Sequence, residues 1–174
     1  NFSFDTKINI KNNALLIDFL DYEKKEGSNS IVSIKGNFKK NNQLRFDLIN
    51  LKEKNNEILI KGLDLTKNFK IIDIESFNIN LKNNKNIFNK FNLIKDNSNF
   101  TIEGESIDTS KIIDNIMNSD EESSSIFESI NSNINMRIKK AYIDDVNYMN
   151  NLYGNVNFNN NKINCLIIYK VLNS

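Results

Sequence analysis

Apolar and polar residues alternate in short runs from Phe2 to Val171, and this period of two constrains the fold more than any other feature. The runs Phe100-Thr101-Ile102, Ile134-Asn135-Met136-Arg137-Ile138 and Val156-Asn157-Phe158 each hold every second side chain apolar. Successive side chains of a strand point to opposite faces, so each run reads as a strand with one dry and one wet face. Asparagine pairs at Asn12-Asn13, Asn41-Asn42 and Asn55-Asn56 punctuate the runs, and asparagine tolerates the left-handed backbone of tight turns. The spacing predicts a mainly β chain built as one long antiparallel sheet, whose dry face must cover something.

Candidate strands fall near residues 2–10, 32–38, 44–48, 58–60 (then Leu63 and Leu65), 71–74, 77–81, 91–93 and 100–107. Four more close the chain, near 133–139, 141–148, 152–158 and 163–171. Leu15, Ile17 and Phe19 alternate on one parity and Leu20 and Tyr22 on the other, which a bulge near Phe19 would explain. One segment breaks the rhythm. Asp108, Thr109 and Ser110 offer capping oxygens, and Ile112, Ile113, Ile116 and Met117 fall on one side of a helix over residues 108–118. The acidic, serine-rich stretch 119–125 reads as a flexible connection. The helix is short and carries Lys111 as its one basic residue, so closing an end of the dry face suits it better than binding anionic lipid.

Composition narrows the chemistry. Net charge is +1 and Arg45 and Arg137 are the two arginines, so the chain lacks the basic stripe of a nucleic-acid binder. With no histidine and a single cysteine, there is no material for a Ser-His-Asp triad, a Cys-His pair, a histidine metal site or an internal disulfide. Neither an enzyme, a metal nor a cofactor is expected. Asp144-Asp145 and Asp120-Glu121-Glu122 are acidic clusters, yet neighbours along a strand cannot both aim at one substrate, and solvated turns account for them. Cys165 shares its parity with Ile163 and Ile167 and reads as a small buried hydrophobe with no base beside it. Gly36, Gly62, Gly104 and Gly154 never cluster into a phosphate loop, so bulges in a bending sheet explain them. The lysine pairs at 24–25, 39–40 and 139–140 are solubilising.

The dry face is what remains: Phe46, Ile58, Ile60, Phe77, Ile79, Phe100, Ile102, Ile134, Met136, Ile138, Val156, Phe158, Ile163 and Ile167. These residues form either a filled core or the lining of a partly open apolar groove, and alternation alone does not separate the two.

A longer pattern joins some of them. NFTIEGESIDTSKIIDNIM, an acidic spacer, and INMRIKKAYIDDVNYMNNLYGNVNFNNNKI follow in order, with Ile60-Lys61-Gly62-Leu63-Asp64-Leu65 upstream. The arrangement Ile102-Glu103-Gly104, Ile107-Asp108, Ile112-Ile113, then Ile134, Met136, Ile138 and Leu152-Tyr153-Gly154 resembles the AsmA-like superfamily of bacterial envelope proteins, closest to its YhdP-type members. The resemblance spans roughly residues 57–171 and consists of apolar spacing and glycines, with a shorter spacer and more Asn and Lys than that family's pattern. It divides the chain into preceding repeat strands (1–56) and a strand-helix-strand module (57–174) of one β-rich segment, 1–174, of a longer chain.

The resemblance implies a curled "β-taco" whose groove carries phospholipid acyl chains between inner and outer membrane. It also implies a periplasmic body held to the inner membrane by a segment outside this chain. Such a carrier needs no nucleophile or metal, because the barrier it removes is hydrophobic. At about 0.8 kcal/mol per methylene, a lipid with ~30 methylenes faces on the order of 20 kcal/mol in open water. The competing reading is a structural or adhesive β-sandwich or solenoid of a bacterial surface protein, which would enclose a filled core.

Overall fold

The computed structural model describes residues 2–39, 43–111, 131–159 and 162–170. Thirteen strands follow in order: β1 (Phe2–Asn9), β2 (Leu15–Ile17), β3 (Tyr22–Lys24), β4 (Ser30–Phe38), β5 (Leu44–Glu53), β6 (Asn56–Leu65), β7 (Ile71–Asp73), β8 (Ser76–Lys82), β9 (Phe88–Asp96), β10 (Asn99–Asp108), β11 (Ser132–Tyr142), β12 (Tyr148–Asn159) and β13 (Lys162–Lys170). Eleven of them form one sheet in the order β1-β4-β5-β6-β8-β9-β10-β11-β12-β13, with β7 also on β6. The sheet is open, with β1 and β13 at its two ends. The excursion between β1 and β4 makes a second, two-stranded sheet, β2-β3.

The mainly β expectation holds, with three corrections. The sheet is mixed, because β10 and β11 run parallel, Phe100 opposite Ile134 through Asp108 opposite Tyr142. A period of two is the same in parallel and antiparallel strands, so the sequence carried no sign of this. The stretches 133–139 and 141–148 belong to one strand and a turn: β11 runs to Tyr142, and Asp144 then accepts the amides of Val146 (2.9 Å) and Asn147 (2.7 Å). The parity slip near Phe19 is a 3-10 turn, Asp18–Leu20, closed by left-handed Asp21, and not a bulge. Beyond Lys111 the helix expected over 108–118 lies outside the described residues; among those described, helical backbone is confined to this 3-10 turn and residues 110–111.

Directly opposed residues share a face, so register shows how the inner face is kept apolar through irregularities. In β5 and β6 the inner residues Phe46 and Ile49, and opposite them Leu63 and Ile60, stand three apart instead of two. Gly62, at φ +60, lies between, and a Cβ there would meet the Glu75 side chain. The same switch recurs in β10, β11 and β12, from Gly104 to Ile107, Ile138 to Ala141 and Leu152 to Met149. Asn151 supplies the left-handed residue there, at φ 52. Each switch crosses neighbouring strands at one level, so the apolar face continues where one isolated slip would have turned it outward.

The excursion covers one margin of this face. Leu20 and Tyr22 are buried against Leu51, Ile58, Ile79, Leu81 and Phe91, with Ile10, Leu15 and Ile17 packed beside them. Two polar anchors hold it down. Lys24, fully buried, donates its Nζ to the carbonyls of Ile10 (2.6 Å), Lys11 (2.9 Å) and Asn13 (2.5 Å). Three carbonyls offset the cost of removing the ammonium from water. Glu53, also buried, accepts the Tyr22 and Ser28 hydroxyls. Burial pushes its carboxyl up, but hydrogen bonds from Ser28, Tyr22 and Asn56 outweigh that and leave it below the ordinary 4.5.

The lowered Glu53 value sets a pH dependence. Its stabilisation is complete above the ordinary carboxylate value and is lost as pH falls through the depressed folded one. Glu53→Gln is expected to cost about 1–3 kcal/mol at neutral pH and to flatten the acid limb of stability, as read by urea unfolding at neutral and acid pH.

Candidate functional site

The inner face is graded in coverage. Its first row, beneath the excursion, runs Leu51, Ile58, Ile79 and Phe91 and resumes at Ile138 and Leu152; all of these are buried. The next row runs Ile34, Ile49, Ile60, Phe77, Leu93, Ile102 and Met136, one residue from each of seven neighbouring strands and each directly opposite the next. Every one of these seven is half-buried. Beyond them lies a mixed margin in which Leu63, Phe100 and Val156 are buried while Phe46 and Ile134 are half-buried.

The middle row is therefore an apolar strip, less covered than the buried members of both margins. With strands about 4.8 Å apart, its six intervals span roughly 29 Å. No charged residue interrupts it between Ile34 and Met136; Gly154 and the half-exposed Ile168 extend it across β12 and β13. Phe19, at the tip of the excursion, meets Phe77 at a ring-centroid distance of 6.5 Å and so borders the strip.

The residues expected to line a groove are divided by this gradient. Ile60, Phe77, Ile102 and Met136 lie in the strip. Ile58, Ile79 and Ile138 lie in the buried row and are core. Phe46, Phe100, Ile134 and Val156 belong to the far margin, and Phe158 pairs with Ile163 beyond it. Ile167 is a correction. A register shift at Asn157/Phe158 puts Ile167 opposite Asn155 on the outer face, 53% exposed, and sets Ile168 opposite Gly154 on the inner one. In the same register Cys165 stands opposite Asn157.

Sequence reasoning missed Ile34, Ile49 and Leu93. The extra residue at Asp47 hides Ile49, since counting by twos from Phe46 lands on Leu48, which faces outward with Lys35 and Lys61. Leu93 was detectable, because it alternates with Phe91 and sits opposite Ile102.

The outer face is mostly polar, with Leu48, Leu59 and Ile94 set singly among polar neighbours. Arg45 pairs with Asp64 at 3.0 Å, Asn155 donates to Asn135 at 2.8 Å and Asn157 to Asn133 at 2.6 Å. A depression of about 430 Å³ opens there over the second parity switch, lined by Lys90, Glu103, Glu105, Arg137, Tyr153 and neighbours, with Lys90 and Glu105 paired at 3.0 Å. Charged side chains line it beside Phe91 and Ile138, whereas the inner strip is wholly apolar and suits an acyl chain. Asp144 and Asp145 both have turn or surface roles, Asp145 pairing with Lys85 at 2.9 Å. Among the described residues there is no cluster of three potential metal ligands, and no helix long and apolar enough to cross a membrane.

Comparison of the chain with protein-family models, curated proteins and solved structures finds no match.

Core and strip should differ in what truncation costs. Ile79→Ala and Leu81→Ala, at fully buried positions, are expected to lose about 2–5 kcal/mol. Ile60→Ala and Ile102→Ala should lose about 1–2 kcal/mol, since water already reaches part of each side chain. Urea unfolding with unchanged m values is the measurement.

Proposed function

We propose that the chain is a non-enzymatic segment of a lipid-transfer protein, and that its apolar strip carries phospholipid acyl chains between the inner and outer membranes of a bacterial envelope. The observation that carries the reading is the strip itself: seven apolar side chains in unbroken register, all half-buried, on an open sheet. A folded core drives such side chains to full burial, while a surface for a transient apolar guest leaves them partly wet and gains when the guest covers them. Its length of roughly 29 Å is close to the ~30 Å hydrocarbon thickness of a bilayer, ample for one extended acyl chain.

The resemblance to the AsmA-like superfamily supports the same reading and adds the location: a periplasmic body, held to the inner membrane by a segment outside this chain. The rival sandwich would need a second large sheet facing the first. The described residues form a single large sheet with a two-stranded excursion on it, which favours the groove.

A photo-reactive residue at Ile102 or Met136 is expected to crosslink phospholipid in bacterial cells, while one at Ile94, exposed on the outer face opposite Thr101, does not. Met136→Asp should abolish capture at Ile102 while the domain keeps its β circular-dichroism spectrum. Absence of phospholipid at both strip positions in a folded domain would sink the proposal.

A further inference from the structure

Among the described residues β1 has a single hydrogen-bonded neighbour, β4, and its other edge is open. Ile10 donates its amide to the Ser30 carbonyl at 3.0 Å and continues the β1–β4 register in which Ile8 faces Val32. In an antiparallel ladder the N–H and C=O of one residue point to the same side, and the side alternates along the strand. Even-numbered residues of β1 therefore bond to β4. Ser3, Asp5, Lys7 and Asn9 turn both backbone groups to the open edge. Phe2 and Ile8, on the inner face at this edge, are 67% and 44% exposed.

We propose that this edge pairs with the β1 of a second copy of the chain, antiparallel about Thr6. The strand is self-complementary in that register and in no other that uses its whole length. Asp5 meets the second copy's Lys7 and Lys7 meets its Asp5, while Ser3 faces Asn9. These are the outward-bonding residues, so the backbone ladder and two ion pairs form together. On the inner face Phe4 meets Ile8 and Phe2 meets Ile10, so apolar side chains lie against apolar ones. Centring on Asp5 or on Lys7 instead sets like charges opposite each other, which is destabilising.

An isolated lysine on an edge strand discourages pairing with arbitrary partners. Here Lys7 has a carboxylate two residues away that answers it in a single symmetric register, so the charges select the partner. Asp5 already pairs with Lys35 at 2.8 Å within the chain, and the second copy's Lys7 would extend that pair into a three-charge ladder. A two-fold axis through Thr6 makes the contact isologous and closes the assembly at two copies. Thr6 sits in register with Ile34, so the axis falls on the line of the apolar strip.

Sedimentation of the 174-residue chain from about 10 μM to about 1 mM tests this. The wild-type chain is expected to dimerise with concentration, and Asp5→Lys or Lys7→Asp alone to be monomeric over the same range. Lys7→Asp leaves the Asp5–Lys35 pair intact and so separates edge pairing from folding, with circular dichroism confirming the fold. Mixing the two single variants is expected to restore a 1:1 heterodimer, and the double exchange Asp5→Lys with Lys7→Asp to restore the homodimer. A wild-type chain that stays monomeric, or a dimer indifferent to both single changes, overturns the proposal.

Discussion

In a sheet covered on one face by a small excursion, each inner side chain is sheltered mainly by its cross-strand neighbours, and all else here depends on that shared register. One strand slipping by a residue would turn its apolar set to water and uncover the residues beside it. The chain avoids this by making its slips collective. Gly62 and Asp47 shift β6 and β5 together, and β10, β11 and β12 shift together near Gly104, Lys139 and Asn151. Left-handed backbone at Gly62 and Asn151 gives each switch its extra residue with little strain.

Coverage then follows from where the chain leaves the sheet. Between β1 and β4 the excursion turns back over the first inner row, held by a buried ammonium on three carbonyls and a buried carboxylate under two hydroxyls. Both anchors are satisfied polar groups, and each would be costly if a partner were removed. They fix the excursion over Ile58 and Ile79, with Phe19 against Phe77. Among the described residues, the excursion borders the strip at Phe19 and Phe77.

Much of this was legible in the residues. Period-two alternation identified most strands, asparagine pairs marked turns, and the glycines within runs foretold bends that Gly62 and Gly104 make. Strip residues in unslipped register, such as Ile60, Phe77 and Ile102, were recognisable from parity alone. What parity cannot carry was lost: the direction of β11, the continuity of β11 through Lys139-Lys140, and every side chain beyond a slip, including Ile49 and Ile167. Separating strip from buried row was also out of reach. Ile58 and Ile60 are identical in sequence terms, and the nonlocal packing of Leu20 and Tyr22 distinguishes them.

The parallel pairing of β10 with β11 bears on how the molecule assembles. From β4 to β10 and from β11 to β13 each large-sheet strand pairs with the one before it across a short connection, save that β8 joins β6 past β7. The two runs meet where β10 pairs with β11, and parallel strands cannot be joined by a tight hairpin. The sheet is thus two local meanders joined at a seam. Contacts across that seam, from Phe100 with Ile134 to Asp108 with Tyr142, are the least local in the second half of the chain, and contacts of that kind are slow to form.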